Sequence, residues 1–127
     1  MSKKQADPIF VFVYGTLKRG HQRHSALSNS PLIAQETIKG TLLNLGNFPG
    51  FIPEGNEDVH GEIYEITPQI LSLLDRIEGH PDFYKRQLIA TEHQHMHQKD
   101  VWVYCLPESY LQEANYKRIP SGIWEGV

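Results

Sequence analysis

The chain has a single cysteine, Cys105, which excludes an internal disulfide and any zinc site built on thiolates. Cys105 sits in the apolar run Val101-Trp102-Val103-Tyr104-Cys105-Leu106 with no histidine beside it. It reads as a buried structural thiol on a strand, not a nucleophile. No stretch approaches about 18 consecutive apolar residues, so no membrane-spanning helix is expected. Met1-Ser2-Lys3-Lys4 leads into no apolar segment of the kind a secretory signal needs. No run of Lys or Arg makes a basic stripe and the net charge is −3, so nucleic acid is not an expected partner. The chain contains no Gly-x-Ser-x-Gly, no Gly-x-x-x-x-Gly-Lys-Ser/Thr and no Gly-x-Gly-x-x-Gly. Nucleophile-elbow hydrolases, P-loop NTPases and dinucleotide enzymes thereby lose their usual support. A cytoplasmic protein without membrane attachment is the expectation.

What is present is an ordinary globular composition. The chain has 127 residues, 39% of them hydrophobic, with 10 Gly and 8 Pro, enough for one domain with a real core and many turns. Ile9-Phe10-Val11-Phe12-Val13 reads as a buried strand. His21 to Ser28 suits a short helix after the Gly20 break. Leu32 to Leu45 holds two apolar pieces separated by Lys39-Gly40, the pattern of a long or bulged strand. Residues 46–51 read as a turn and Val59 to Ile66 as a strand, with Gly61 permitting close backbone approach. The clearest helix is 68–78, with Thr67 as N-cap, Pro68 in the first helical position and Gly79 as terminator. Residues 84–95 and 98–106 read as an antiparallel pair, and a turn of helix is expected near Leu111. Strands outnumber helices without alternating with them, which disfavours a doubly wound sheet. The fold class is α+β: a small mixed, mostly antiparallel β-barrel flanked by a few helices.

Two places draw attention. The first strand ends in Tyr14-Gly15-Thr16-Leu17-Lys18, where a glycine lets a ligand meet bare backbone N–H groups; taken alone, such a segment is more often just a turn. The second is helix 68–78. With Leu74 at zero on a wheel of about 100° per residue, Ile70, Leu71 and Ile77 fall within about 60° of it, and Glu78 falls near +40°, inside the apolar stripe. Burial and the helix C-terminal dipole would both raise its pKa. Either Glu78 is a functional carboxylate or the helix frays and Glu78 faces water beside Gly79. Asp75, at the stripe's edge, suits a rim ion pair with Arg86. Among seven histidines, His93, His95 and His97 alternate and would share a strand face. Their polar setting reads as an exposed hairpin tip, and no metal site is expected.

Tyr14-Gly15-Thr16-Leu17 together with Leu74-Asp75-Arg76-Ile77-Glu78-Gly79 and Tyr84-x-Arg86 resembles the gamma-glutamylcyclotransferase-like family, in particular its small branch. Phe48-Pro49-Gly50, Val59-His60-Gly61-Glu62-Ile63-Tyr64, Val101-Trp102-Val103-Tyr104 and Ser121-Gly122-Ile123-Trp124 add to the match. It runs from about residue 9 to residue 124, within a single domain spanning 1–127. The resemblance implies a small mixed barrel flanked by helices. It implies conversion of a gamma-glutamyl amine or amide to 5-oxoproline and a free amine. It places the catalytic glutamate at Glu78 and the substrate loop at Tyr14, Gly15, Thr16 and Leu17, with Tyr84 as a pocket wall or hydrogen-bond donor. The α-amine of such a substrate is its own nucleophile, so no metal, nucleotide or other cofactor is implied. Two departures stand out. Many members carry Asp where this chain has Ile123. The loop reads Gly-Thr-Leu-Lys, unlike the glutathione-degrading branch, which makes glutathione less favoured. The leaving amine is expected to meet a rim of the 46–52 turn, the 80–85 segment and the C-terminal tail. A non-catalytic small-molecule binding module, or a surface interaction protein lacking the pocket, would be compatible with the same fold.

Overall fold

The computed structural model describes residues 8–91, 100–113 and 115–126. Along the chain run β1 (Ile9–Val13), β2 (Leu32–Asn44), β3 (Pro49–Ile66), α1 (Pro68–Glu78), β4 (Lys85–Ala90), β5 (Asp100–Cys105) and β6 (Lys117–Arg118), with 3-10 turns at His24–Leu27 and Glu108–Gln112. The strands form one mixed sheet in the order β4-β5-β1-β3-β2-β6. β1–β3, β2–β3, β2–β6 and β4–β5 are antiparallel; β5 is parallel to β1 at Val11–Trp102 and to β3 at Phe51–Cys105. The second contact of β5 curls the sheet into a half-barrel.

β3 makes this possible because it is long and bent. Gly40 pairs with Glu57 while the next residue, Thr41, pairs with Ile52, so residues 53–56 bulge out of the ladder. Gly55 takes φ +116° there, and the Thr41 hydroxyl donates to the Glu54 carbonyl at 2.7 Å. A Cβ on Gly40 would lie 2.6 Å from the Phe51 ring, which explains the glycine at the corner. The sequence pattern anticipated the bulge. It mistook the beginning of β3 for part of the turn: the connection is only 45–48, closed by Leu45 N–H to Phe48 C=O at 3.0 Å, and pairing resumes at Pro49. The strand expected over Val59–Ile66 is the second half of this same element.

Alternation sends residues to two cores. Phe12, Tyr14, Phe51, Val101, Val103, Cys105 and Trp124 fill the inside of the curl. Val11, Val13, Leu17, Tyr64, Leu74 and Tyr104 pack on the helix side. Cys105 is buried, as its sequence setting implied, and burial pushes its thiol up to about 12. α1 starts and ends as read: the Ile70 N–H donates to the Thr67 hydroxyl at 3.2 Å, and Gly79 closes the helix in the left-handed region. The helix expected over 21–28 is shorter, a 3-10 turn at His24–Leu27. The segment 84–95 is a strand only over Lys85–Ala90 among the described residues, and His93, His95 and His97 lie outside them. Among the described residues no group of three or more His, Cys, Asp or Glu could hold a metal, and no helix is long and apolar enough to cross a membrane.

A side chain reinforces the seam where the Leu106 N–H meets the Phe51 carbonyl at 2.8 Å. The buried Tyr14 hydroxyl donates to the Tyr104 carbonyl at 2.6 Å and accepts the Phe51 N–H at 3.1 Å, stitching β5 to β3. Replacing Tyr14 with Phe leaves a buried N–H and a buried C=O without that partner, which costs about 1–3 kcal/mol. Urea denaturation of Tyr14→Phe should show that loss with an unchanged m-value; wild-type stability would mean the hydroxyl closes nothing.

Candidate active site

The loop after β1 is held by its backbone. Lys18 N–H donates to Gly15 C=O at 3.0 Å, and Arg23 N–H donates to Thr16 C=O at 2.7 Å. From behind, Arg19 N–H donates to Glu62 Oε1 at 2.8 Å, and the same oxygen accepts the Tyr64 hydroxyl at 2.9 Å. Among the described residues no acceptor meets the N–H groups of Gly15, Thr16 or Leu17. Such free amides are an anion-binding feature when a cavity adjoins them.

A cavity does adjoin them. It has a volume of about 160 Å³ and is lined by Tyr14, Gly15, Thr16, Leu17, Glu78 and Tyr84, together with Arg23 and several apolar side chains. All six site residues named from the sequence therefore meet in one place, and α1 persists through Glu78 without fraying. Burial raises the Glu78 carboxyl from its ordinary 4.5 to about 7, and the Arg23 guanidinium only partly opposes the rise. A carboxylic acid poised near neutrality can both accept and return a proton.

Two roles differ from the simplest reading. Tyr14 lines the cavity, but its hydroxyl is committed to backbone partners on β3 and β5. Tyr84 likewise donates its hydroxyl to the Pro49 carbonyl at 2.5 Å. Both phenols serve as walls, and neither has a proton free to donate. Gly15 is required first by packing: a Cβ there would lie 2.6 Å from Pro49 Cγ and 2.8 Å from Cδ.

Arg23 was not legible as a site residue. It follows the loop by several positions and reaches back, donating from Nη1 to the Ile77 carbonyl at 3.3 Å. Phe48 and Phe83, from the two turns expected at the rim, also line the cavity. Among the described residues the C-terminal tail does not. Trp124 packs in the core that holds Phe12 and Phe51, and its carbonyl accepts from Lys18 Nζ at 2.9 Å. Ile123 borders a separate cleft with Lys18 and Glu62, so position 123 is not a lining residue of the Glu78 cavity.

Asp75 stands behind the site in the expected ion pair. Arg86 Nε donates to Asp75 Oδ1 at 2.8 Å and Nη2 to Oδ2 at 3.2 Å, while the Tyr104 hydroxyl donates to Oδ1 at 2.7 Å. Burial pushes this carboxyl up, but the hydrogen bonds from Arg86 and Tyr104 outweigh it and hold the pKa below the usual value. Arg86 also stacks over Trp102 at 4.2 Å. Asp75 thus stays ionised and ties α1 to β4 and β5, while Glu78, one turn on, has no such partner among the described residues.

Comparison with known proteins agrees with this geometry. Residues 11–126 match the family described as gamma-glutamyl cyclotransferase, AIG2-like. The chain belongs to that family of cyclotransferase-type enzymes. It is 35% identical over 116 residues to the Escherichia coli K12 gamma-glutamylcyclotransferase family protein YtfP, covering 90% of this chain and 94% of that one. The solution structure of E. coli ytfP superposes with a TM-score of 0.68 at 33% identity, covering 92% and 96% of the two chains. The crystal structure of a Mus musculus AIG2-like protein superposes at 0.70 with 27% identity over 84% of each chain. A Niallia circulans protein named gamma-L-glutamyl-butirosin B gamma-glutamyl cyclotransferase is 37% identical over 70 residues, which is 54% of this chain and 44% of that one. Both family and curled-sheet fold are those the motifs implied. These likenesses assign no substrate to this chain.

Because Gly15 abuts Pro49, whose carbonyl holds Tyr84, Gly15→Ala should shift Pro49 and lower stability by about 1–3 kcal/mol, the usual scale of overpacking. Thermal denaturation checks it. An unchanged melting temperature would show that the loop yields freely.

Proposed function

We propose that the protein is a gamma-glutamylcyclotransferase that acts on a gamma-glutamyl amine or amide and releases 5-oxoproline and the free amine, with Glu78 as its proton-transfer group. The observation that carries this reading is a carboxyl raised to about 7 in the same cavity as three loop amides that meet no acceptor among the described residues. The Niallia circulans relative, whose name describes a gamma-glutamyl cyclotransferase, supports the reaction class.

The substrate supplies its own nucleophile, so much of the entropic barrier is already removed. Ionised Glu78 takes a proton from the α-ammonium. The freed amine attacks the γ-carbonyl, a C–N bond forms, and charge collects on the carbonyl oxygen. The N–H groups of Gly15, Thr16 and Leu17 hold the substrate carboxylate or that oxyanion. Collapse breaks the bond to the leaving nitrogen, which takes the proton from Glu78 as it departs; the second hydrogen of the ring nitrogen then passes through the regenerated carboxylate to the freed amine, which leaves as an ammonium. Every proton is returned, and the residues in the cavity suffice without a covalent enzyme intermediate.

Glu78→Gln keeps the shape but cannot accept the proton. Its 5-oxoproline release should fall on the order of 10²–10⁴-fold. Wild-type kcat/KM should rise with pH through about 7 as Glu78 ionises, whereas the residual activity of the variant should lack that step. Either a fully active Gln variant or no 5-oxoproline from any gamma-glutamyl amine would refute the assignment.

The same shift sets a stability trend. Because the folded pKa exceeds the unfolded one, folded protein binds more protons between pH 4.5 and about 7. The contribution is fully present below pH 4.5 and is lost as pH rises through about 7. Glu78→Gln should therefore be more stable than wild type at pH 8, by up to about 3 kcal/mol, and should show a flatter stability–pH curve. Chemical denaturation at pH 5 and pH 8 reads the difference.

A further inference from the structure

Phe48, Phe83 and Tyr84 form a wall of the Glu78 cavity that the chemistry above leaves without a task. Phe83 meets Phe48 at 5.9 Å and 85°, and Tyr84 at 4.8 Å and 80°. The Phe48 and Tyr84 rings stand 6.4 Å apart. Phe83 is nonetheless 39% exposed, an apolar surface at the cavity left uncovered among the described residues. The Tyr84 hydroxyl is given to Pro49, so this wall presents hydrocarbon and ring edges only.

The wall is rigidly tied to the carboxylate. Phe83 N–H donates to the Gly79 carbonyl at 2.8 Å and Tyr84 N–H to the Glu78 carbonyl at 3.4 Å. The two rings therefore ride on the helix end that carries Glu78. Phe48 arrives independently, from the short turn before β3.

The same cavity also holds a cation. Among the described residues Arg23 is its only Lys or Arg, its amide tied to Thr16 and its guanidinium to the Ile77 carbonyl. Among the described residues Glu78 is the only acidic lining residue. The cavity thus offers two kinds of surface, an anion-holding set made of Arg23 and the loop amides and a set of three uncharged rings. A gamma-glutamyl compound has parts to match both, a carboxylate on one side and a leaving group on the other.

Resting on the reading of Glu78 as the proton-transfer group of a gamma-glutamyl cyclisation, we propose that the leaving amine carries an aromatic or bulky apolar group that packs on Phe48 and Phe83, while Arg23 holds the α-carboxylate. A cationic leaving group, such as a polyamine or a lysine side chain, would find the Arg23 guanidinium in its cavity and no carboxylate besides Glu78. An aromatic one finds edge-to-face partners already in place.

The test is 5-oxoproline release from three compounds differing only in the amine: gamma-glutamyl phenethylamide, gamma-glutamyl ethylamide and the gamma-glutamyl monoamide of 1,4-diaminobutane. The phenethylamide should exceed both others in kcat/KM by about tenfold or more, the scale of one or two aromatic contacts. Phe83→Ala should collapse the phenethylamide-to-ethylamide ratio by about tenfold, and Phe83→Tyr should keep it. Arg23→Gln should raise KM for all three. Preference for the diaminobutane or ethyl compound, or a ratio that folded Phe83→Ala and Phe83→Leu leave untouched, overturns the inference while the cyclotransferase reading stands. No product from any of the three overturns both.

Discussion

The hydroxyl of Tyr14 bridges two strands at the seam that closes the curl. β5 leaves β1 to meet β3, where the Leu106 N–H reaches the Phe51 carbonyl at 2.8 Å and one phenol oxygen satisfies an N–H of β3 and a carbonyl of β5. Pro49 and the start of the loop lie beside this seam. Pro49 sits against Gly15 on one side and receives the Tyr84 hydroxyl on the other. The cavity wall is therefore a consequence of strand closure, and the residue that opens the Tyr-Gly-Thr-Leu motif belongs as much to the architecture as to the site.

The arrangement separates two carboxylates a turn apart on one helix. Asp75 is surrounded by donors and stays charged. Glu78 is half-buried, has no such donors among the described residues, and sits near neutrality. Environment alone divides their duties: Asp75 fastens the helix to the sheet, and in the proposed mechanism that fastening keeps Glu78 aimed into the cavity.

Much of this was readable from local chemistry. Thr67-Pro68 and Gly79 bound a helix whose wheel put Glu78 among apolar residues, and the caps are where they should be. The break at Lys39-Gly40 announced the bulge. The partnership of Tyr14 and Glu78 was legible only through family resemblance, because residues so far apart in sequence carry no local signal of contact. The start of β3 was misread because Gly-Asn-Phe-Pro-Gly is rich in turn formers; pairing with β2 overrode that preference. Arg23 was invisible for a different reason. A lone arginine in a polar stretch looks solvent-facing, and only the return of the loop towards α1 brings it to the cavity.

The loop's outer side is tied to a carboxylate of its own. Glu62 accepts the Arg19 amide and the Tyr64 phenol, so the strap is braced from the face away from the cavity. A loop held this way has already surrendered its conformational freedom on folding. Ligand capture then need not pay for ordering it, and the binding groups are main-chain atoms, indifferent to which side chains the strap carries. The rim, by contrast, comes from two separate turns outside that brace. In the proposed reading, exchanging the Phe48 or Phe83 side chain would alter what the rim accepts while the main-chain groups of the loop stay in place.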